Sequence, residues 1–283
     1  MYLKHLFIIA ALLSATFANA LQPPTAEQLA RYKKQGTFQK KLIQAKKLSN
    51  YKISPNLSHR TKSYIDDKLG IQSVAQSIPG HRGLPATGDV KTFTLLLDFP
   101  DAPAPAHQTI EVIDNHIYGE GLPERYPVES LTNFYKRSSY EQLNIGGNVI
   151  GWYTTPYPRT DITDARAVIK EALTHYESQG HDFSQYDNDG DGYIDYFSVV
   201  WTGEVGEWAS LWWGWQSSFS DPSYTLSGKE LAAFSWQWLS WNNDTDDFDP
   251  MTLIHETGHG LGLPDFYDYD GDIGPVGGVG GLD

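Results

Sequence analysis

An α/β fold built on a twisted mixed sheet is predicted by three features of this 283-residue sequence. Residues 90–99 and 193–202 are nearly continuous apolar runs, the pattern of strands covered on both faces. Between them Ala165, Val168, Ile169, Ala172, Leu173 and Tyr176 recur at helical spacing, so one helix has a face to bury against that sheet. Near the other end His255 and His259 stand one helical turn apart, which predicts a second backing helix.

Taken in order, the chain opens with Lys4, an apolar run over residues 6–17 and then Ala18-Asn19-Ala20, the pattern of a secretory signal peptide over residues 1–20. Export would put the protein where disulfides usually form, yet the sequence has no cysteine. Rigidity is therefore expected from core packing and bound metal. The run over residues 6–17 is too short to span a bilayer, and no later stretch reaches the roughly 18 apolar residues that a span needs. A soluble, extracellular protein with no permanent membrane span is expected.

Residues 21–87 are polar and basic. Helical runs at residues 26–34 and 40–48 precede a loop with Pro55, Pro79, Gly80, Gly83 and Pro85, which reads as a leader region and linker. Residues 21–70 carry a balance of +8 and residues 71–283 one of −23, a contrast that favours docking of the first on the second. So acidic a body argues against nucleic acid as a partner. The main domain is placed at residues 88–283. It begins with the strand at residues 90–99, which Pro100 stops, and continues with a helix and turn over residues 128–143 and a strand at residues 148–154. The amphipathic helix follows, capped by Thr163 and stopped by Gly180. After the strand from Tyr193 comes a stretch over residues 201–241 with weak periodicity, containing Trp208, Trp212, Trp213, Trp215, Trp236, Trp238 and Trp241. These tryptophans read as packing rather than as a substrate groove or sugar-binding surface.

Residues 255–265 read His-Glu-Thr-Gly-His-Gly-Leu-Gly-Leu-Pro-Asp, and the first five fit H-E-x-x-H. On a helix His255 and His259 can aim their imidazoles at one zinc ion, with Glu256 beside the open coordination position. Gly262 allows a sharp turn and Pro264 blocks further helix, so Asp265 can return as a third ligand. Three protein ligands with one position left open is the composition of a catalytic zinc site. Zinc lowers the pKa of its bound water to ~7, and Glu256 is placed to take the proton as that water attacks a carbonyl.

A second constellation runs Asp187-Asn188-Asp189-Gly190-Asp191-Gly192-Tyr193-Ile194-Asp195. Oxygens at alternate positions, from Asp187, Asp189, Asp191, Tyr193 and Asp195, with glycine at the sixth place, match a calcium loop of EF-hand type. Ser198 stands where the twelfth-position glutamate would be, so the reading is a calcium-stabilised turn leading into a strand. Asp268, Asp270 and Asp272 form a weaker cation candidate. Asp244, Asp246, Asp247 and Asp249 read as a solvated loop.

These residues resemble the immune-inhibitor-A family of secreted bacterial metalloproteases over most of residues 88–283. The likeness lies in the zinc motif, Leu95-Leu96-Leu97-Asp98-Phe99-Pro100-Asp101, residues 130–143 with Gly151-Trp152-Tyr153, the calcium-like loop and residues 277–283. It implies a metzincin-like zinc endopeptidase with His255, His259 and Asp265 as ligands and Glu256 as base and acid. Substrates would be protein or peptide chains lying extended along a sheet edge. It also implies a methionine turn that the chain stops short of, Met251 lying on the wrong side of the helix to supply it. Position, the charge contrast and the Pro/Gly loop make residues 21–87 a removable pro-segment and linker that docks on the protease and holds it latent, the alternative being a folding aid or permanent spacer. Asp66 or Asp67 could fill the metal's open position, although a solvated helix end suits both better. Trp212-Trp213-Gly214-Trp215 departs from the more polar segment expected there. Two rivals stand beside this reading: an extracellular calcium-dependent binding module, and a zinc hydrolase acting on a non-peptide amide.

Overall fold

A computed structural model describes residue 24 and residues 26–52, 69–70, 83–240, 248–267 and 269. The signal peptide, Asp66, Asp67, Asp244, Asp246, Asp247, Trp241, Asp268, Asp270, Asp272 and residues 277–283 lie outside the described residues. The fold is α/β, as expected. Helices α1 (Ala26–Lys34) and α2 (Phe38–Leu48) come first, then β1 (Gly88–Asp98), α3 (Ile110–Ile117), α4 (Leu131–Ser138), β2 (Leu143–Thr154) and α5 (Ala165–Ser178). Strands β3 (Tyr193–Trp201), β4 (Trp215–Ser218), β5 (Thr225–Leu226) and β6 (Lys229–Trp238) follow, and α6 (Met251–Gly260) carries the histidine pair.

The sheet runs β2-β1-β3-β6-β4, with β5 also on β6. Strands β2, β1, β3 and β6 are mutually parallel, whereas β4 and β5 pair antiparallel with β6. Period-two alternation splits the core into two layers. Phe93, Leu95, Leu97, Phe197, Val199 and Phe234 join Val168, Ile169, Ala172 and Leu173 of α5 on one face. Val90, Leu96, Tyr196, Val200 and Ala233 join Ile113, Leu131, Tyr135, Leu253 and Ile254 of α3, α4 and α6 on the other. The helix over residues 165–178 and the histidine helix therefore back opposite faces of one sheet.

Several boundaries differ from the sequence reading. Strand β2 starts at Leu143, ahead of residue 148. In the fold, Gly147 lets β2 close on β1: a Cβ there would lie 2.0 Å from the Thr92 carbonyl oxygen. Helix α5 is capped by Asp164, whose carboxylate accepts the Arg166 N–H, in place of Thr163. Strand β6, hidden in the tryptophan-rich stretch, is paired on both sides and buried from Leu231 onward. Ahead of β1, Leu84 is fully buried and donates its N–H to the Gly260 carbonyl.

The described tryptophans of this stretch are packing residues. Trp201, Trp208 and Trp236 are buried, Trp212 meets Trp201 edge-on at 5.0 Å, and the Arg159 guanidinium lies 3.9 Å over Trp212. The basic N-terminal helices dock on this layer. Arg31 and Lys41 both reach Glu207, at 2.9 and 3.0 Å, while Tyr32, Phe38 and Leu42 sink into the α5-side core. Half-exposed ion pairs of this kind contribute at most about 1 kcal/mol each, against about 1.5–3 kcal/mol for each large apolar side chain buried. Apolar burial dominates the docking, and the charges orient it. Among the described residues, no helix is long and apolar enough to cross a membrane.

Candidate metal centre

Helix α6 starts where Asp249 accepts the Met251 N–H at 2.9 Å, so this aspartate is a turn residue at a helix entrance. One face of the helix is buried through Leu253 and Ile254, and Tyr135 from α4 donates to the Ile254 carbonyl at 2.7 Å. Thr257 bonds back to the Leu253 carbonyl and meets the Tyr196 hydroxyl of β3. Gly258 and Gly260 make the sequence a poor helix former, at a cost of about 1 kcal/mol per glycine. Gly260 is there for space: a Cβ would come within 2.8 Å of the Tyr196 ring.

The turn expected at Gly262 is present, with φ of +98°. Gly262 and Leu263 donate back to the carbonyls of His259 and Gly258, both at 2.9 Å, closing the helix end. Asp265 then returns to the histidines. Its Oδ1 lies 2.9 Å from His255 Nε2 and 3.3 Å from His259 Nε2, and the two Nε2 atoms are 3.1 Å apart. Tetrahedral zinc at about 2.0–2.1 Å from its ligands separates them by about 3.3 Å, so the trio has the spacing of three corners of such a site. His259 Nδ1 faces the Leu263 carbonyl at 2.8 Å, which places the proton on Nδ1 and leaves the Nε2 lone pair for a metal. Asp265 is held below the usual carboxylate range: burial pushes it up, but the two histidines outweigh that.

Glu256 lies beside the trio, 3.9 Å from His259 Nε2, fully buried and with no hydrogen-bond partner on either oxygen. Burial pushes its pKa up to about 8, His259 opposing and Asp265 adding to the shift. Room for this carboxylate comes from Gly214, where a Cβ would lie 3.3 Å from Glu256 Oε1 and 3.0 Å from the Thr252 methyl. That explains the glycine within Trp212-Trp213-Gly214-Trp215: the chain enters edge strand β4 directly over the helix, between tryptophans that belong to the core.

The N-terminal segment reaches the same place. The Asn50 carbonyl accepts the Asp265 N–H at 2.7 Å. With its side-chain nitrogen turned toward the strand, Asn50 donates to the Gln216 carbonyl of β4 at 3.3 Å. A cavity of about 260 Å³ lies between α2 and the tryptophan layer, walled by Leu48, Asn50, Asp164, Trp208, Trp213 and Asp265.

The second constellation is also gathered. Carboxylate oxygens of Asp187, Asp189, Asp191 and Asp195 lie within 4.8 Å of one another, and Gly190 and Gly192 take φ of +76° and +97°. Asn188 ties the loop to β1 through both the N–H and the carbonyl of Lys91, and donates to Asp195. Tyr193 opens β3 with its N–H on Asp191. Ser198 is buried in the sheet against Thr94 at 2.8 Å, so a twelfth-position ligand has no place here: the loop runs into a strand. Burial raises Asp195 to about 7, Asn188 opposing and Asp189 and Asp191 adding. Sequence reasoning missed Lys229, whose ammonium sits 2.7 Å from Asp187 Oδ2. It arrives because β6 starts beside β3, with Glu230 paired to Tyr193, a pairing that no local pattern announces.

No family model matches the chain. The chain is 24% identical over 200 residues to Immune inhibitor A of Bacillus thuringiensis subsp. alesti, covering 56% of this chain and 29% of the relative. It is 25% identical over 243 residues to Pre-pro-metalloprotease PrtV of Vibrio cholerae serotype O1 (strain M66-2), covering 66% of this chain and 26% of the relative. The same figures hold for PrtV of strain ATCC 39315. The chain thus spans less than a third of the length of these relatives. The likeness is distant, and it supports a link to metalloproteases.

Proposed function

We propose that this chain carries the metal centre of a secreted, metzincin-like zinc metalloendopeptidase that hydrolyses peptide bonds in extracellular proteins. One observation carries the reading: His255 Nε2, His259 Nε2 and Asp265 Oδ1 converge at tetrahedral spacing beside the buried, unpartnered Glu256. Zinc held by His255, His259 and Asp265 would supply a Lewis acid to polarise the scissile carbonyl and acidify the attacking water. Glu256 takes the proton from that water and passes it to the leaving amine. Its pKa, raised by burial to about 8 and drawn down by a neighbouring cation, suits a base working near neutral pH. Edge strand β4 offers main-chain hydrogen bonds to an extended substrate, which favours a peptide over a small amide.

Two further assignments belong to this reading. Residues 1–20 direct export and residues 21–87 form a pro-segment and the linker that joins it to the protease, with Asn50 occupying the β4 edge and the Asp265 N–H that a substrate would otherwise approach. Calcium binds the loop of Asp187, Asp189, Asp191 and Asp195 with a carbonyl contribution from Tyr193, and Lys229 offsets one of the four charges. The test is metal removal. Dialysing the full-length protein against a zinc chelator is expected to abolish cleavage of an unfolded protein substrate, and one zinc per chain to restore it. Cleavage that survives complete zinc removal would overturn the proposal.

A further inference from the structure

Asp265 has two carboxylate oxygens, and the structure uses them differently. Oδ1 faces both histidines, whereas Oδ2 accepts a hydrogen bond from the Tyr269 hydroxyl. The tyrosine is itself held. Its ring stacks on Tyr267 at 4.8 Å and 20°, meets Trp208 edge-on at 6.2 Å and packs against Tyr51 at 5.7 Å. Tyr269 is buried. A carboxylate free at both oxygens can close on a metal with two bonds. One whose second oxygen accepts from a fixed donor has a lone pair committed and its plane held, which disfavours closing on the metal with both oxygens.

We infer that Tyr269 is a positioning residue, whose hydroxyl restricts Asp265 to one-oxygen ligation through Oδ1 and so keeps the fourth position of the metal open. The inference rests on the proposal that Asp265 is a zinc ligand. An outer partner of this kind typically changes metal affinity or activity by about 10–100-fold when removed. It also makes the tryptophan layer part of the metal centre, since Trp208 helps to fix the ring that fixes the ligand.

The experiment uses the full-length protein and zinc itself as probe. Tyr269→Phe removes one oxygen from a preserved stack. It is expected to shift zinc affinity, read by competition with a chromophoric chelator, by about 10-fold or more, and to lower kcat with little change in KM. X-ray absorption at the zinc should read one Asp oxygen in the unsubstituted protein and a second in the variant. Asp265→Ala, run alongside, must weaken zinc binding if Asp265 is a ligand at all. If Asp265→Ala leaves zinc binding intact, the reading beneath the inference fails. If Asp265→Ala weakens binding but Tyr269→Phe matches the unsubstituted protein in affinity and coordination, the role of Tyr269 is overturned. Two Asp oxygens on zinc in the unsubstituted protein overturn it as well, however the variants fold.

Discussion

Gly260 and Gly214 carry no chemistry, yet each makes room for a buried neighbour, the Tyr196 ring and the Glu256 carboxylate respectively. A Cβ at residue 260 meets the Tyr196 ring at 2.8 Å, and that ring is buried with its hydroxyl against Thr257. Alanine is the better helix former by about 1 kcal/mol, but overpacking a closed core costs about 1–3 kcal/mol. Gly260→Ala is therefore expected to lower stability on the order of 1 kcal/mol, read as a lower urea midpoint; a variant more stable than its parent would contradict the packing argument. His255, Glu256, His259 and Asp265 were legible in the sequence because all four fall within eleven residues, where helix period and one turn fix their geometry. The roles of Lys229, Gly214 and Asn50 were not, because each reaches its partner across the fold.

Among the elements, the amphipathic helix was legible from its period and the two doubly buried strands from short apolar runs. Strand β6 was hidden because its two faces differ in kind. Phe234 and Trp236 join the aromatic layer, while Ser235 and Gln237 are polar although buried, which breaks the apolar run. The acidic loop between α5 and β3 was legible as a pattern, and its calcium occupancy is open to a direct test. Four clustered carboxylates repel one another, and a ligand bound by the native state alone adds RT ln(1 + [L]/Kd) to stability. Thermal melts with and without calcium are expected to show a rise in Tm for the parent protein. The Asp189→Ala, Asp191→Ala double variant should lose that rise, and an equal calcium response in both would exclude the loop as the site.

At the scale of the whole molecule, the N-terminal helices pack on the face of the sheet opposite α6 and deliver Asn50 to the edge strand and Asp265. The charge contrast in the sequence foretold that docking, though apolar burial supplies most of it. Leu84 is buried under α6, so removal of the pro-segment is expected to leave a chain starting at or just before about residue 83, a linker being a preferred place for nicking. Sequencing the N-terminus of the active extracellular form checks this, and full activity in a protein beginning at Leu21 would defeat it. The central claim is that these elements assemble around a zinc centre in which Glu256 moves the proton and the other three residues hold the metal. Glu256→Gln separates those two duties, since it keeps the ligands and removes the base. The decisive measurement is zinc per chain alongside peptide-bond hydrolysis for that variant in the full-length protein. The expected result is full zinc content with turnover lowered about 10²- to 10⁴-fold; near-parental turnover with zinc in place would contradict it.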